Sequence, residues 1–95
     1  MALTRGSFVG YEFDRMVVLF SMVDGQRNVP CAISTSALDD LDKSERTRAE
    51  QREAQFMRLR DQIEEQAARK FIAQEFEGTP PGIILRSIDF RLSAG

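Results

Sequence analysis

Apolar residues recur from Glu45 to Glu77 at a helical interval. They are Ala49, Phe56, Leu59, Ile63, Ala67 and Phe71, with Ala68, Ile72 and Phe76 beside them. After Ala49 the steps are seven, three, four, four and four residues, which keeps them on one face of a 3.6-residue helix. Arg, Glu, Gln and Lys fill most of the positions between, and all are good helix formers. The spacing predicts one long amphipathic helix over Glu45–Glu77.

Upstream the period changes to two. Arg15–Val23 is the strongest strand: Met16, Val18, Phe20 and Met22 point one way, Val17, Leu19 and Val23 the other. A strand that is apolar on both sides is covered on both sides. Asp24-Gly25 then signals a two-residue hairpin, because both residues tolerate positive φ. The partner strand runs over Gln26–Ile33, and Pro30, lacking an N–H, places it at an edge or at a bulge. Ser7–Phe13 carries Phe8, Val9, Tyr11 and Phe13 but is interrupted by Gly10. It reads either as a strand or as an irregular segment that tucks aromatics under the sheet. Residues 1–6 read as a loose arm.

Ser34-Thr35-Ser36 offers hydroxyls for a helix start, and Ser36 with Asp39 has loose capping-box spacing. A short helix over Thr35–Leu41 would turn Ala37, Leu38 and Leu41 inward. Asp39, Asp40 and Asp42 favour the positive N-terminal end; as metal ligands they would diverge and lack a partner. Unbroken helix from Thr35 to Glu77 would be on the order of 60 Å long. A domain of this size has a radius of gyration of about 13 Å. A break is therefore expected at Asp42–Ser44, with Ser44 capping the second helix. Gly78-Thr79-Pro80-Pro81-Gly82 stops that helix. Ile83–Arg86 then forms a short strand beside a central strand, Met16–Val23. Asp89 caps a terminal turn and Phe90 plugs the core. The fold class is α+β: a small antiparallel or mixed sheet, made of a β-hairpin and a C-terminal strand, packed by a short helix and one long amphipathic helix. Val18, Phe20, Ile33, Leu38, Phe56, Ile63, Ala67, Phe71, Leu85 and Phe90 are the expected core.

Composition narrows the function more than the fold. The 95 residues make one domain, and 13 basic against 15 acidic residues give a net charge of −2. That is not the basic excess of a nucleic-acid binder. With no His, the commonest general base and metal ligand is missing. A single Cys makes no internal disulfide. The first residues lack the apolar core of a signal peptide, and the longest apolar run, Met16–Phe20, is too short for a bilayer. A cytoplasmic protein without cofactor or metal is expected.

Four ordered pieces then resemble a known family. They are Arg15-x-Val17 through Phe20, Val29-x-Cys31-x-Ile33-Ser34-x-x-Ala37-Leu38, Phe56-x-x-x-Arg60-x-x-Ile63-x-x-x-Ala67-x-x-Lys70-Phe71, and Leu85-x-x-x-Asp89-Phe90. Together they resemble DUF1488, a small bacterial domain of unknown function, over nearly all of Arg15–Phe90. Ser36 departs from the pattern, where an acidic residue is expected, and the Arg-rich stretch Glu45–Glu53 is less typical. The resemblance implies a small α+β fold with a curled sheet and packed helices. It implies no activity and no catalytic residues.

The remaining chemistry is sparse. Cys31 reads as a small buried hydrophobe within a strand rather than a reactive thiol. Arg60 and Lys70 read as a cationic site for an anion or small molecule, or as members of an ion-pair network in which Arg60 meets Glu64. Arg46, Arg48, Arg52, Arg58 and Arg60 form the densest basic cluster, which a nucleic-acid-binding regulator would turn toward phosphates. Glu45, Glu50 and Glu53 interrupt the cluster, and it offers no series of aromatics for base stacking. No phosphate loop, catalytic triad or metal-ligand spacing is present, so no enzyme is expected. The sharpest clue is that two strands are apolar on both faces while the helices can cover only one. An uncovered apolar face marks an interface. The chain is thus expected to be a non-enzymatic interaction module that binds itself or another protein, through the sheet or along the long helix. The competing reading covers the second face with Phe8, Tyr11, Phe13 and Phe90, giving a monomer.

Overall fold

The computed structural model describes residues 3–44, 47–78 and 81–93. Its four strands are β1 (Thr4–Glu12), β2 (Val17–Asp24), β3 (Arg27–Ser34) and β4 (Ile83–Leu85), in the order β1-β2-β3-β4. The first three are antiparallel; β4 runs parallel to β3. The helices are α1 (Thr35–Asp42), α2 (Arg52–Ile72) and α3 (Ser87–Ser93), with a 3₁₀ turn over Ala49–Gln51 leading into α2. The architecture is α+β, as the pattern predicts.

The hairpin forms one residue later than the Asp24-Gly25 signal implies. Asp24 pairs with Arg27, so Gly25 and Gln26 are the loop. Gly25 has φ 64° while neither Asp24 nor Gln26 is left-handed. A glycine at the first central position with positive φ is the type II′ pattern, whose twist suits the strands it joins. Pro30 faces Ser21 on β2, and on its other side β4 begins only at Cys31↔Ile83. The missing N–H thus falls beyond the end of the parallel ladder. At that point a Cβ on Gly82 would lie 2.3 Å from the Pro30 carbonyl oxygen, so only glycine lets the chain pass this close.

Two expectations are corrected here. Thr4–Gly6 is not a loose arm but the start of β1, which extends to Glu12. The aromatic segment is a strand; its alternation is disturbed by register shifts between Arg5 and Phe8 and between Phe8 and Gly10. Ser21 Oγ fills the irregularity by accepting from the Ser7 N–H at 3.1 Å. The last strand does not lie beside β2. Because β1 takes one edge of β2 and β3 the other, β4 can add only to β3.

Helix α1 is capped by Ser34, not Ser36: Ser34 Oγ accepts from the Ala37 N–H at 3.1 Å. Lys43, left-handed at φ 53°, ends it and makes the expected break. Ser44 does not cap the second helix. Its hydroxyl bonds Asp42 Oδ2 and Thr47, and the helical turn begins later, where Gln51 Oε1 accepts from the Arg48 N–H at 2.9 Å. The long helix is accordingly shorter than Glu45–Glu77 at both ends. It stops at Ile72, with Gln74 left-handed at φ 58°. Glu45, Arg46, Thr79 and Pro80 lie outside the described residues.

The core lies between the sheet and α1 with α2. Val18, Phe20, Ile33, Leu38, Phe56, Ile63, Ala67 and Leu85 are buried, and Phe71 and Phe90 pack against them half-buried. Phe56 is the hinge pin of the arrangement, its ring 5.1 Å from that of Phe20 and 5.6 Å from that of Phe8. Ala49 and Ile72, expected on the same helix face, are exposed, as is Phe76.

Candidate functional site

The residues with chemistry sort into three polar clusters on the helix side and one bare sheet face. In the first cluster Arg52, on the first turn of α2, is buried and donates to Asp39 Oδ1 at 2.7 Å and to Gln55 Oε1 at 2.7 Å. Gln55, wholly buried, donates in turn to Asp39, Asp42 and Ser44. Arg58 closes the set on Asp42 at 2.6 Å. These bonds hold α1 against α2 and replace the apolar seam that the helix lacks there. In the second cluster Glu64 is shared by Arg5 at 2.9 Å and Arg60 at 2.8 Å. Arg60 also donates to the Gly6 carbonyl at 2.9 Å and lies over the Phe56 ring at 5.8 Å, tying β1 to α2. In the third, Lys70 Nζ donates to the Ile84 carbonyl at 2.9 Å and pairs with Asp89 at 3.2 Å.

The candidate contact residues are therefore not gathered in one place. Arg60 and Lys70 are ten positions apart on α2, about 15 Å of helix rise, and each is engaged by different protein groups. Of the basic cluster, Arg52, Arg58 and Arg60 are turned onto carboxylates of the same chain. Arg48 is exposed, and Arg46 lies outside the described residues.

Three carboxylates carry depressed pKa values. Hydrogen bonds from Arg86 hold Glu77 low, and those from Arg58 hold Asp42 low. At Asp39 burial pushes upward, but the bonds from Arg52, Gln55 and Thr47 together outweigh it. Each group binds its proton less tightly folded than unfolded. Their contribution to stability is thus complete above the unfolded carboxylate range, about pH 4–4.5, and is lost as pH falls through the folded values. Thermal melts from pH 7 to pH 3 should be flat above about pH 5 and decline below about pH 4. Glu77→Gln should make that decline shallower; an unchanged slope would show that the Arg86–Glu77 bonds do not govern acid stability.

Cys31 is 4% exposed, and its Sγ donates to the Val29 carbonyl at 3.4 Å. Burial pushes the thiol up to about 12. At pH 8 only about one thiol in ten thousand would then be ionised. Alkylation by iodoacetamide should follow global unfolding, with rates in native buffer orders of magnitude below those in denaturant. Fast labelling of the folded protein would contradict this.

The face of the sheet turned away from α1 and α2 is different in kind. Phe8 and Tyr11 pack into the helix-side core, as does Phe90, while Phe13 is 74% exposed in the β1–β2 turn. The aromatics do not cover the second face. One register row crosses it completely: Gly10↔Leu19, Leu19↔Ala32, Ala32↔Ile84. The next row is Glu12↔Val17↔Ser34, with Arg86 one residue past the Ile33↔Leu85 pair. Val17 and Ala32 are sheltered by their neighbours, and Leu19, Val23 and Ile84 are half-buried. Arg15 borders two shallow depressions here, one against Leu19, Ala32 and Ile84, the other against Val17, Ser34, Arg86 and Ile88. Among the described residues no helix or strand lies across this face. The period-two pattern of β2 reveals Val17 and Leu19 as its members, but nothing local in the sequence assigns Ala32, Ile84 or Arg86 to it.

A four-stranded mixed sheet with its helices on one face and a bare second face defines a small α+β module. Residues 7–84 match the family described as "Protein of unknown function (DUF1488)", and the chain belongs to that family. A crystal structure of a DUF1488 protein of unknown function from Shewanella loihica has a similar fold. Its TM-score is 0.78 at 19% identity, over 90% of this chain and 93% of that one. No curated protein matches. No helix among the described residues is long and apolar enough to cross a membrane.

Proposed function

We propose that this protein is a non-enzymatic interaction module that works through the helix-free face of its sheet. The observation that supports this is the direction of the aromatics. Phe8, Tyr11 and Phe90 all join the core between sheet and helices, which leaves the row Gly10–Leu19–Ala32–Ile84 without a cover of its own. Half-buried Leu19 in the middle of the sheet face and half-buried Ile84 on its β4 edge are a surface that another protein can desolvate. The arginines of α2 favour this reading over a phosphate-binding one, because all four, Arg52, Arg58, Arg60 and Arg69, are committed to carboxylates within the chain.

A photo-crosslinking amino acid at Leu19 or Ile84, in cells that express the protein, tests the reading. Discrete adducts are expected from these two positions and none from Met57, which is 41% exposed on α2. Equal labelling from all three positions, or no adduct from the sheet, would refute it.

A further inference from the structure

We infer that the occupant of the bare face is a second copy of this chain, stacked face to face about a two-fold axis parallel to the strands. The inference rests on the reading just given, that this face is an interface, and adds its partner.

The face is complementary to itself in size. A two-fold axis along the strand direction lays β1 over β4 of the partner and β2 over β3 of the partner, each at its own level. Applied to the row Gly10–Leu19–Ala32–Ile84, it sets glycine against isoleucine at both edges and leucine against alanine in the middle. Every large side chain meets a small one, which is how two sheets interdigitate at a spacing of about 10 Å. The next row repeats the rule, with Val17 against Ser34.

The face is also complementary to itself in charge. Glu12 ends the second row at the β1 edge, 3.6 Å from Arg15. Arg86 ends it at the β4 edge, where it holds Glu77 at 2.8 Å and shares a depression with Val17 and Ser34. The same axis brings Glu12 of each copy to Arg86 of the other. Each end of the row is an ion pair, Glu12 with Arg15 at one edge and Arg86 with Glu77 at the other, so the two copies can share partners across an isologous contact, in which one patch must match itself. It gives no such match to an arbitrary acidic or basic partner.

The face is small. Four strands span about 14 Å between outer axes, so each copy buries well under the roughly 800 Å² per partner of a standard interface. The dimer should therefore be reversible, a weak contact at the small end of specific interfaces.

The test is solution mass by light scattering or sedimentation from about 5 to about 500 μM, joined to a charge exchange. Wild-type mass should rise from that of one chain to that of two. Glu12→Arg alone and Arg86→Glu alone should each stay at one chain, since each sets like charges together twice. An equimolar mixture of the two variants should recover the double mass, because both contacts are then opposite in sign. Melting curves of each variant verify that loss of mass is not loss of fold, and Leu19→Glu gives a second, charge-independent disruption. A wild-type mass that stays single throughout overturns the second-copy inference. So does a wild-type dimer whose two variants fail to recombine. In either case crosslinks from Leu19 to other proteins would leave the interface reading standing; their absence would end both.

Discussion

Replacing Phe56 by alanine should lower stability by about 3–5 kcal/mol. Phe56 is fully buried at the point where α2 crosses β1 and β2, with its ring against both Phe8 and Phe20. Truncation removes the transfer energy of the ring. It also leaves a cavity whose walls are set by two strands and a helix, so little collapse can fill it. Domains of this size have total stabilities of roughly 5–15 kcal/mol. The melting temperature should drop by about 12–40 °C, at about 4–8 °C per kcal/mol. Arg60 loses the ring beneath its guanidinium in the same variant, so some of the β1–α2 tie goes with it. Circular dichroism melts decide the matter: a drop under about 5 °C would mean that the three rings are not the centre of the core.

The second large effect should come from Asp89→Ala. Lys70 is 8% exposed in its side chain and Asp89 14%. Removing the carboxylate leaves a buried ammonium with the Ile84 carbonyl as its remaining hydrogen-bond acceptor among the described partners and only Glu77, beyond ion-pair distance, as a counter-charge. It also takes the bond from the Arg86 N–H at 2.7 Å. Breaking one side of such a pair costs about 3–5 kcal/mol. Lys70→Met should cost clearly less, because it removes the charge that is expensive to bury and keeps the apolar stem, while Asp89 still holds the Arg86 N–H. Urea titration of both variants checks the order. If Lys70→Met proved the more damaging, the pair would be contributing by attraction rather than by avoiding an orphaned charge.

What the sequence revealed follows from which forces are local. The hairpin, the break at Lys43 and the seam Phe56–Leu59–Ile63–Ala67 are written in neighbouring residues, and all are present. The start of α2 is not legible because helix propensity does not separate Glu45 from Arg52; the choice is made by a side-chain network across to α1. Counting apolar positions passes over Gln55, the most deeply buried polar group, for the same reason. Strand β1 is obscured because its irregular register breaks the alternation by which strands are recognised. The partner of β4 is invisible locally, since its three pairs join residues some fifty positions apart. The same holds for the candidate site: β2 announces two apolar faces, but only the assembled sheet shows that the Gly10–Leu19–Ala32–Ile84 row is self-complementary.

That distant pairing has a consequence for how the chain assembles. Cys31, Ala32 and Ile33 are made early and must wait for Ile83, Ile84 and Leu85, so the outer edge of β3 stays open while the whole of α2 is added. Closing a loop of that length is slow compared with forming the two hairpins upstream. An unpaired edge in a nascent chain is where a neighbouring chain can add a strand in error. Pro30 sits on that edge, just before the first pair of the ladder, and has no N–H to offer. It shortens the template available to an intruding strand during the interval. Proline there protects the route to the fold, whereas Gly82 opposite it permits the finished one.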